Sequence, residues 1–139
     1  MTPLEKTKKT LEDNRLSCVV YEPQKEQVFT SIESGIKPLM IWLNENIYFF
    51  KDRYVADKVV GKAAAMLFIK GKVKELYAAI ISEHACAVLD SNNVPYTFGE
   101  KVPYIINRAN TGMCPMETTV LGVDDVDEAY IILKGKVRI

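Results

Sequence analysis

The chain has 139 residues, 18 basic and 18 acidic, with a formal net charge of zero and a hydrophobic fraction of 48%. That size buries one core without metal or disulfide staples, so a single domain over 1–139 is expected, with residues 1–14 as a helical extension. The balance of charge speaks against a general nucleic-acid or membrane-surface binder, because both need one sign concentrated.

In chain order, Thr2 and Pro3 form a cap and first-turn pair for a mostly solvated helix to about Asn14, with Leu4 and Leu11 on one face. The β-branched and aromatic runs SCVVY (17–21) and QVFTS (27–31), separated by EPQKE, read as a hairpin. In SGIKPLMIWLNEN a glycine break and Pro38 open a short helix. VADKVVGKAAAMLFIKGK (55–72) reads as the strongest helical segment, since Ala63, Ala64, Ala65, Met66 and Leu67 favour helix and Gly71 supplies a stop. Its apolar residues do not share one stripe, which predicts a central position. VKELYAAIIS (73–82) then reads as a buried strand, SEHACAVLDSNN as a helix capped by Ser82, and VPYTFG as another strand. VPYIINR follows as an extended segment or loop, CPMETTVLG as a short helix and DVDEAYIILKGKV as the last helix. A hairpin followed by strands alternating with helices predicts an α/β layer structure with a mixed sheet.

Cys18, Cys86 and Cys114 are odd in number and lack paired spacing, which argues against a disulfide framework and for a reducing cytoplasm. The basic N-terminus has no apolar run behind it and does not read as a secretory signal. PLMIWLNENIYFF is interrupted by Asn44, Glu45 and Asn46 and falls short of a membrane span. Its apolar residues can fill a core or cover a second copy of the chain, which leaves a homo-oligomer open.

Three stretches carry candidate chemistry. In TGMCPMET, Cys114 stands just before a helix start, where unpaired N–H groups favour a thiolate; it reads as a nucleophile or as a small buried residue, with Glu117 a first-turn carboxylate. In VADKVVGK, Asp57 reads as a helix cap, and Lys58 and Lys62 share a helix face, a repulsive pair better tolerated around an anion. Lys62, inside an apolar helix, either snorkels to solvent or serves a site. In YIINRANTG, Asn107, Arg108, Asn110 and Thr111 are placed to line a pocket at a strand end, and Arg108 is either a clamp for a carboxylate or phosphate or a solvated charge. No motif links His84 to Cys114, so His84 reads as structural or surface, and neither GxGxxG nor GxSxG occurs.

Taken together and in this order, VADKVVGKAAA, VPYIINR and TGMCPME resemble a small prokaryotic family, domain of unknown function 1893, over roughly residues 15 to 134. The cytidine deaminase-like superfamily, in which that family is placed, has a mixed five-stranded sheet between helices, so the resemblance implies a three-layer α/β/α fold. Its enzymes hold zinc with His/Cys-x-Glu on one helix and Pro-Cys-x-x-Cys at the start of the next. GKAAA stands near the first motif and MCPME near the second, with neither the histidine nor the helix glutamate, so the resemblance implies the pocket without a metal; no cofactor is expected. In place of the metal, Lys62 is expected to face Cys114, with Glu117 and Asp57 as its carboxylate partners. Lys58, Asn107, Arg108 and Thr111 are expected to hold a small polar, nucleotide-like ligand. The expected function is that of a cytoplasmic deaminase-fold protein with a metal-free pocket. It acts either as an enzyme using Cys114 or as a non-catalytic ligand-sensing or protein-interaction domain, with no nucleic-acid or membrane partner.

Overall fold

The β-branched and aromatic runs pair into one sheet in a computed structural model that describes residues 1–137. Its five strands, β1 (Cys18–Glu22), β2 (Gln27–Ser31), β3 (Tyr54–Val60), β4 (Glu75–Ser82) and β5 (Tyr96–Val102), lie in the order β2-β1-β3-β4-β5. β1 runs antiparallel to both β2 and β3, whereas β3, β4 and β5 are mutually parallel, which makes the sheet mixed. A tight hairpin suffices for the antiparallel pair β1–β2, but each parallel step needs a crossover. Helix α3 (Lys62–Lys70) supplies the first crossover and α4 (Glu83–Ser91) the second. Among the described residues no helix is long and apolar enough to cross a membrane.

Alternation along the strands divides the core in two. Val19, Ala56 and Tyr77 meet Leu4 and Leu11 of α1 (Pro3–Asp13) on one face. Val20, Val55 and Leu76 point to the other, where α2 (Lys37–Glu45), α3, α4 and α6 (Val126–Lys136) gather. Where the sequence reads as a mostly solvated extension, α1 buries Leu4, Thr7 and Leu11 and covers a sheet face of its own. The apolar run 38–50 goes to the core: Leu39, Met40, Leu43 and Phe50 are buried, and Trp42 stacks on Phe49 with ring centroids 5.0 Å apart.

The main departure from the sequence reading is at 55–72. The single helix expected there is a strand followed by a helix, with Gly61 extended (φ −92°, ψ −177°) between them. Alanine-rich propensity holds only from Ala63 onward. Val55, Val59 and Val60 are β-branched, and pairing on both sides with β1 and β4 outweighs their modest helix propensity. The all-round apolar character of the helical part is accounted for, because α3 packs among the sheet, α2, α4, α5 (Pro115–Thr119) and α6.

Candidate functional site

The site grows from the end of β3. Gly61 is the N-cap of α3 and has no side chain to satisfy the first N–H groups of that helix. Glu117 of α5 does it instead. Its Oε2 accepts hydrogen bonds from the Lys62 N–H at 2.6 Å and the Ser82 hydroxyl at 2.5 Å, and its Oε1 accepts from the Ile105 N–H at 2.8 Å. Ser82 Oγ accepts in turn from the Ala85 N–H at 3.0 Å, capping α4. One carboxylate, 1% exposed, therefore ties together the starts of two helices and the segment after β5. A Cβ at Gly61 would stand 3.0 Å from both Glu117 Oε2 and Ile105 Cγ1, so close approach is what requires glycine there.

From Ile105 the chain folds out and back to Cys114. Ile106 and Met113 form an antiparallel bridge, and Cys114 donates its N–H to the Ile105 carbonyl at 2.7 Å. Asn107 holds the turn, its Oδ1 accepting from the Thr111 N–H at 3.0 Å and its Nδ2 donating to Thr111 Oγ1 at 3.2 Å. Asn110 takes the left-handed conformation (φ 58°) that asparagine tolerates. At the tip Arg108 donates to Ser34 Oγ at 3.2 Å, bridging to the loop before α2.

Between this hairpin, α3 and the 34–36 loop lies a cleft of about 520 Å³. Ile36, Val59, Ala63, Ala64, Ile105 and Met116 form apolar walls, and Ser34, Asn107, Arg108 and Cys114 supply polar edges. Helix α2 also starts here: its N-cap Ile36 makes no side-chain capping bond, and Pro38 lacks an N–H.

The expected residues are only partly brought together. Cys114, Glu117, Asn107 and Arg108 line the cleft, and Thr111 braces Asn107 without reaching it. Lys62 gives its backbone N–H to Glu117, but its ammonium turns the other way. It donates to the Leu121 carbonyl at 2.8 Å, lies 3.8 Å from Asp124, and lines a separate groove of about 220 Å³ with His84. The expected Lys62 to Cys114 pairing, with Glu117 and Asp57 as partners of the ammonium, is thus replaced by contacts with the turn before α6. The reason is position: at the first residue of α3 the backbone faces Glu117 while the side chain leaves on the α6 side.

Asp57 is not a helix cap but a mid-strand residue of β3, buried opposite Cys18 of β1. Burial pushes its carboxyl up to about 7, the N–H groups of Val59 and Lys58 acting in the opposite direction. Burial, with the Asp57 charge adding to it, pushes the Cys18 thiol well above its ordinary range. Lys58 is exposed on the strand and shares no helix face with Lys62. Cys114 is half-buried and free, and α5 behind it is only five residues long, so few peptide dipoles align on the sulfur.

The sequence reading passed over Ser34 and the hub roles of Gly61, Ser82 and Ile105. Ser82 was legible as a cap; its second bond, to Glu117, depends on a residue 35 positions away. The zinc that a deaminase-type site implies does not fit these residues. Cys114 is the one good ligand in the cleft, both Glu117 oxygens are engaged by three donors, and no group of three His, Cys, Asp or Glu side chains gathers among the described residues. Moreover α5, which starts directly after Cys114, is not the helix after α3, because α4 intervenes.

Fold and cleft together define a mixed α/β protein with a ligand-sized cavity bounded by the starts of α2 and α3 and a hairpin pinned by one buried carboxylate. Residues 6–137 match the model of the TM1506 domain of unknown function (DUF1893). The crystal structure of a DUF1893 family protein from Thermotoga maritima is similar with a TM-score of 0.86 and 31% identity, over 97% of this chain and 90% of that one. This chain belongs to the DUF1893 family. The family match takes in most of α1, in keeping with the packing of that helix on the sheet. No curated protein matches the chain.

Proposed function

We propose that this protein is a small-molecule binding module of cytidine deaminase-like fold, working without zinc in the cleft between α3 and the 105–114 hairpin. The mixed five-stranded sheet with helices on both faces supports the deaminase-like reading of the fold. The observation that carries the function is the cleft itself: about 520 Å³, apolar in its walls and polar only along its edges. Such a lining favours a ligand with a flat or aliphatic body and a polar end, rather than one polar throughout, and a nucleobase derivative meets that description. Three free thiols support a reducing, cytoplasmic setting.

Binding is favoured over catalysis by Cys114. Among the lining residues only Arg108 and Glu117 carry charge, and Glu117 is committed to three donors, so the lining supplies no free base for the thiol. The enzyme reading keeps one support, a half-buried free thiol in the cleft wall.

The test uses that thiol as a reporter, since Cys18 and Cys86 are buried. Iodoacetamide should alkylate Cys114 first, and nucleobases or nucleosides that enter the cleft should slow the reaction. In Ala64→Phe, which fills the cleft, that protection should vanish. Alkylation at an unchanged rate across such a panel, with no shift in melting temperature, would count against the binding module. A rate that drops sharply in Lys62→Ala would instead restore the coupling of ammonium and thiol and revive the enzyme.

A further inference from the structure

Resting on that reading, we infer that the cleft's ligand carries an anionic oxygen group, carboxylate or phosphate, seated at the Arg108 edge beside Ser34. The guanidinium presents five N–H donors in a planar fork and uses one contact here, to a neutral hydroxyl 3.2 Å away. No carboxylate lies within ion-pair distance of it among the described residues. A second arginine, Arg53, shows what a structural arginine does in this protein. Arg53 lies against the rings of Phe29 and Phe49, donates to the Phe49 carbonyl at 2.8 Å and faces Glu22. Arg108 has no such package and stands at the mouth of an apolar cavity.

The rest of the cavity agrees with this sign of charge. Glu117, its one acidic lining residue, is buried beneath the floor with both oxygens engaged, so no free carboxylate competes for the guanidinium or repels an incoming anion. Ser34 adds a hydroxyl on the same edge. The uncapped start of α2, two residues on, adds a field of the same sign. Apolar walls take the ligand's body, and the fork takes its oxygens. Replacing a neutral hydroxyl by a charged acceptor is the exchange that a bidentate guanidinium favours.

Three probes with one body separate this inference from the reading beneath it: 1-naphthoate, 1-naphthyl phosphate and 1-naphthol, followed by naphthyl fluorescence on the full chain. Wild type should bind at least one of the two anions about tenfold or more tightly than the neutral naphthol. The tighter anion identifies carboxylate or phosphate as the preferred group. Arg108→Gln, at an exposed loop position where folding should be untouched, should erase that preference while naphthol still binds. Equal affinity for all three probes, or an anion preference that survives Arg108→Gln, overturns the inference and leaves the cleft standing. Failure of all three to bind overturns the inference and the cleft reading together. Ser34→Ala, expected to weaken the anion only about two- to threefold, is a second check at the same edge.

Discussion

Two carboxylates are buried among the described residues, and their surroundings differ sharply. Glu117 sits where two helices begin and accepts hydrogen bonds from three donors at 2.5 to 2.8 Å. Asp57 sits in the middle of the sheet, opposite the buried Cys18, with the Val59 N–H a long 3.4 Å from its Oδ1. The same functional group is a keystone in one place and a strained guest in the other, because desolvation is offset only where backbone donors that need a partner anyway converge. Lys62 completes the contrast. Its ammonium, 9% exposed as a side chain, rests on a carbonyl and on a fully exposed aspartate across the helix from Glu117. Three charges that the sequence offers as one constellation thus do three separate jobs, and none of them reaches the thiol.

The comparison can be broken at its strongest point first. Glu117→Ala leaves the N–H groups of Lys62 and Ile105 and the Ser82 hydroxyl without their acceptor, and should cost about 3–5 kcal/mol in urea unfolding. A loss under about 1 kcal/mol would mean that water replaces the carboxylate and that the hub is not a hub.

Asp57 predicts a dependence on pH. Its folded pKa of about 7 lies above the unfolded value near 3.8, so between those values the native state holds the extra proton. Stability should therefore be fully present below about pH 4, fall as pH rises towards 7, and level off above it, by at most about 4 kcal/mol. Asp57→Asn should flatten that slope and be the more stable protein at pH 8. Parallel profiles for the variant and wild type would show that the carboxyl is not desolvated as the fold implies.

The smallest effect is expected at Lys62→Met, which keeps the stem and the backbone bond to Glu117 and removes one ammonium from a groove. It should shift stability by no more than about 1 kcal/mol and leave the Cys114 alkylation rate and its pH profile unchanged. A large change in either would put the ammonium back beside the cleft.

The local signals in this chain were read at the scale on which they act. Thr2, Ser82 and Pro38 mark helix starts that the fold uses, and the runs 17–21, 27–31 and 73–82 become strands. The departure at 55–60 has the same origin: VADKVV is ambiguous by itself and runs directly into an alanine-rich helix. Only the presence of β1 and β4 on either side, at 18–22 and 75–82, makes that segment a central strand. Arg108, Asn107, Cys114 and Glu117 were visible as a polar cluster near a helix start, and the cleft does gather them.

The sequence by itself determined the class of architecture, the caps at Thr2 and Ser82, and the neighbourhood of the cleft between NRANTG and the proline-started helix, because periodicity, capping and turn chemistry act over a few residues. The tertiary structure alone decided what each charge touches. Lys62 lies 55 residues from Glu117 and 59 from Leu121, and no local rule states that the backbone of that residue goes to one and its ammonium to the other. That outcome follows from how α3 is rotated against the sheet by the burial of Ala65, Met66, Leu67 and Phe68, a packing result summed over the whole core.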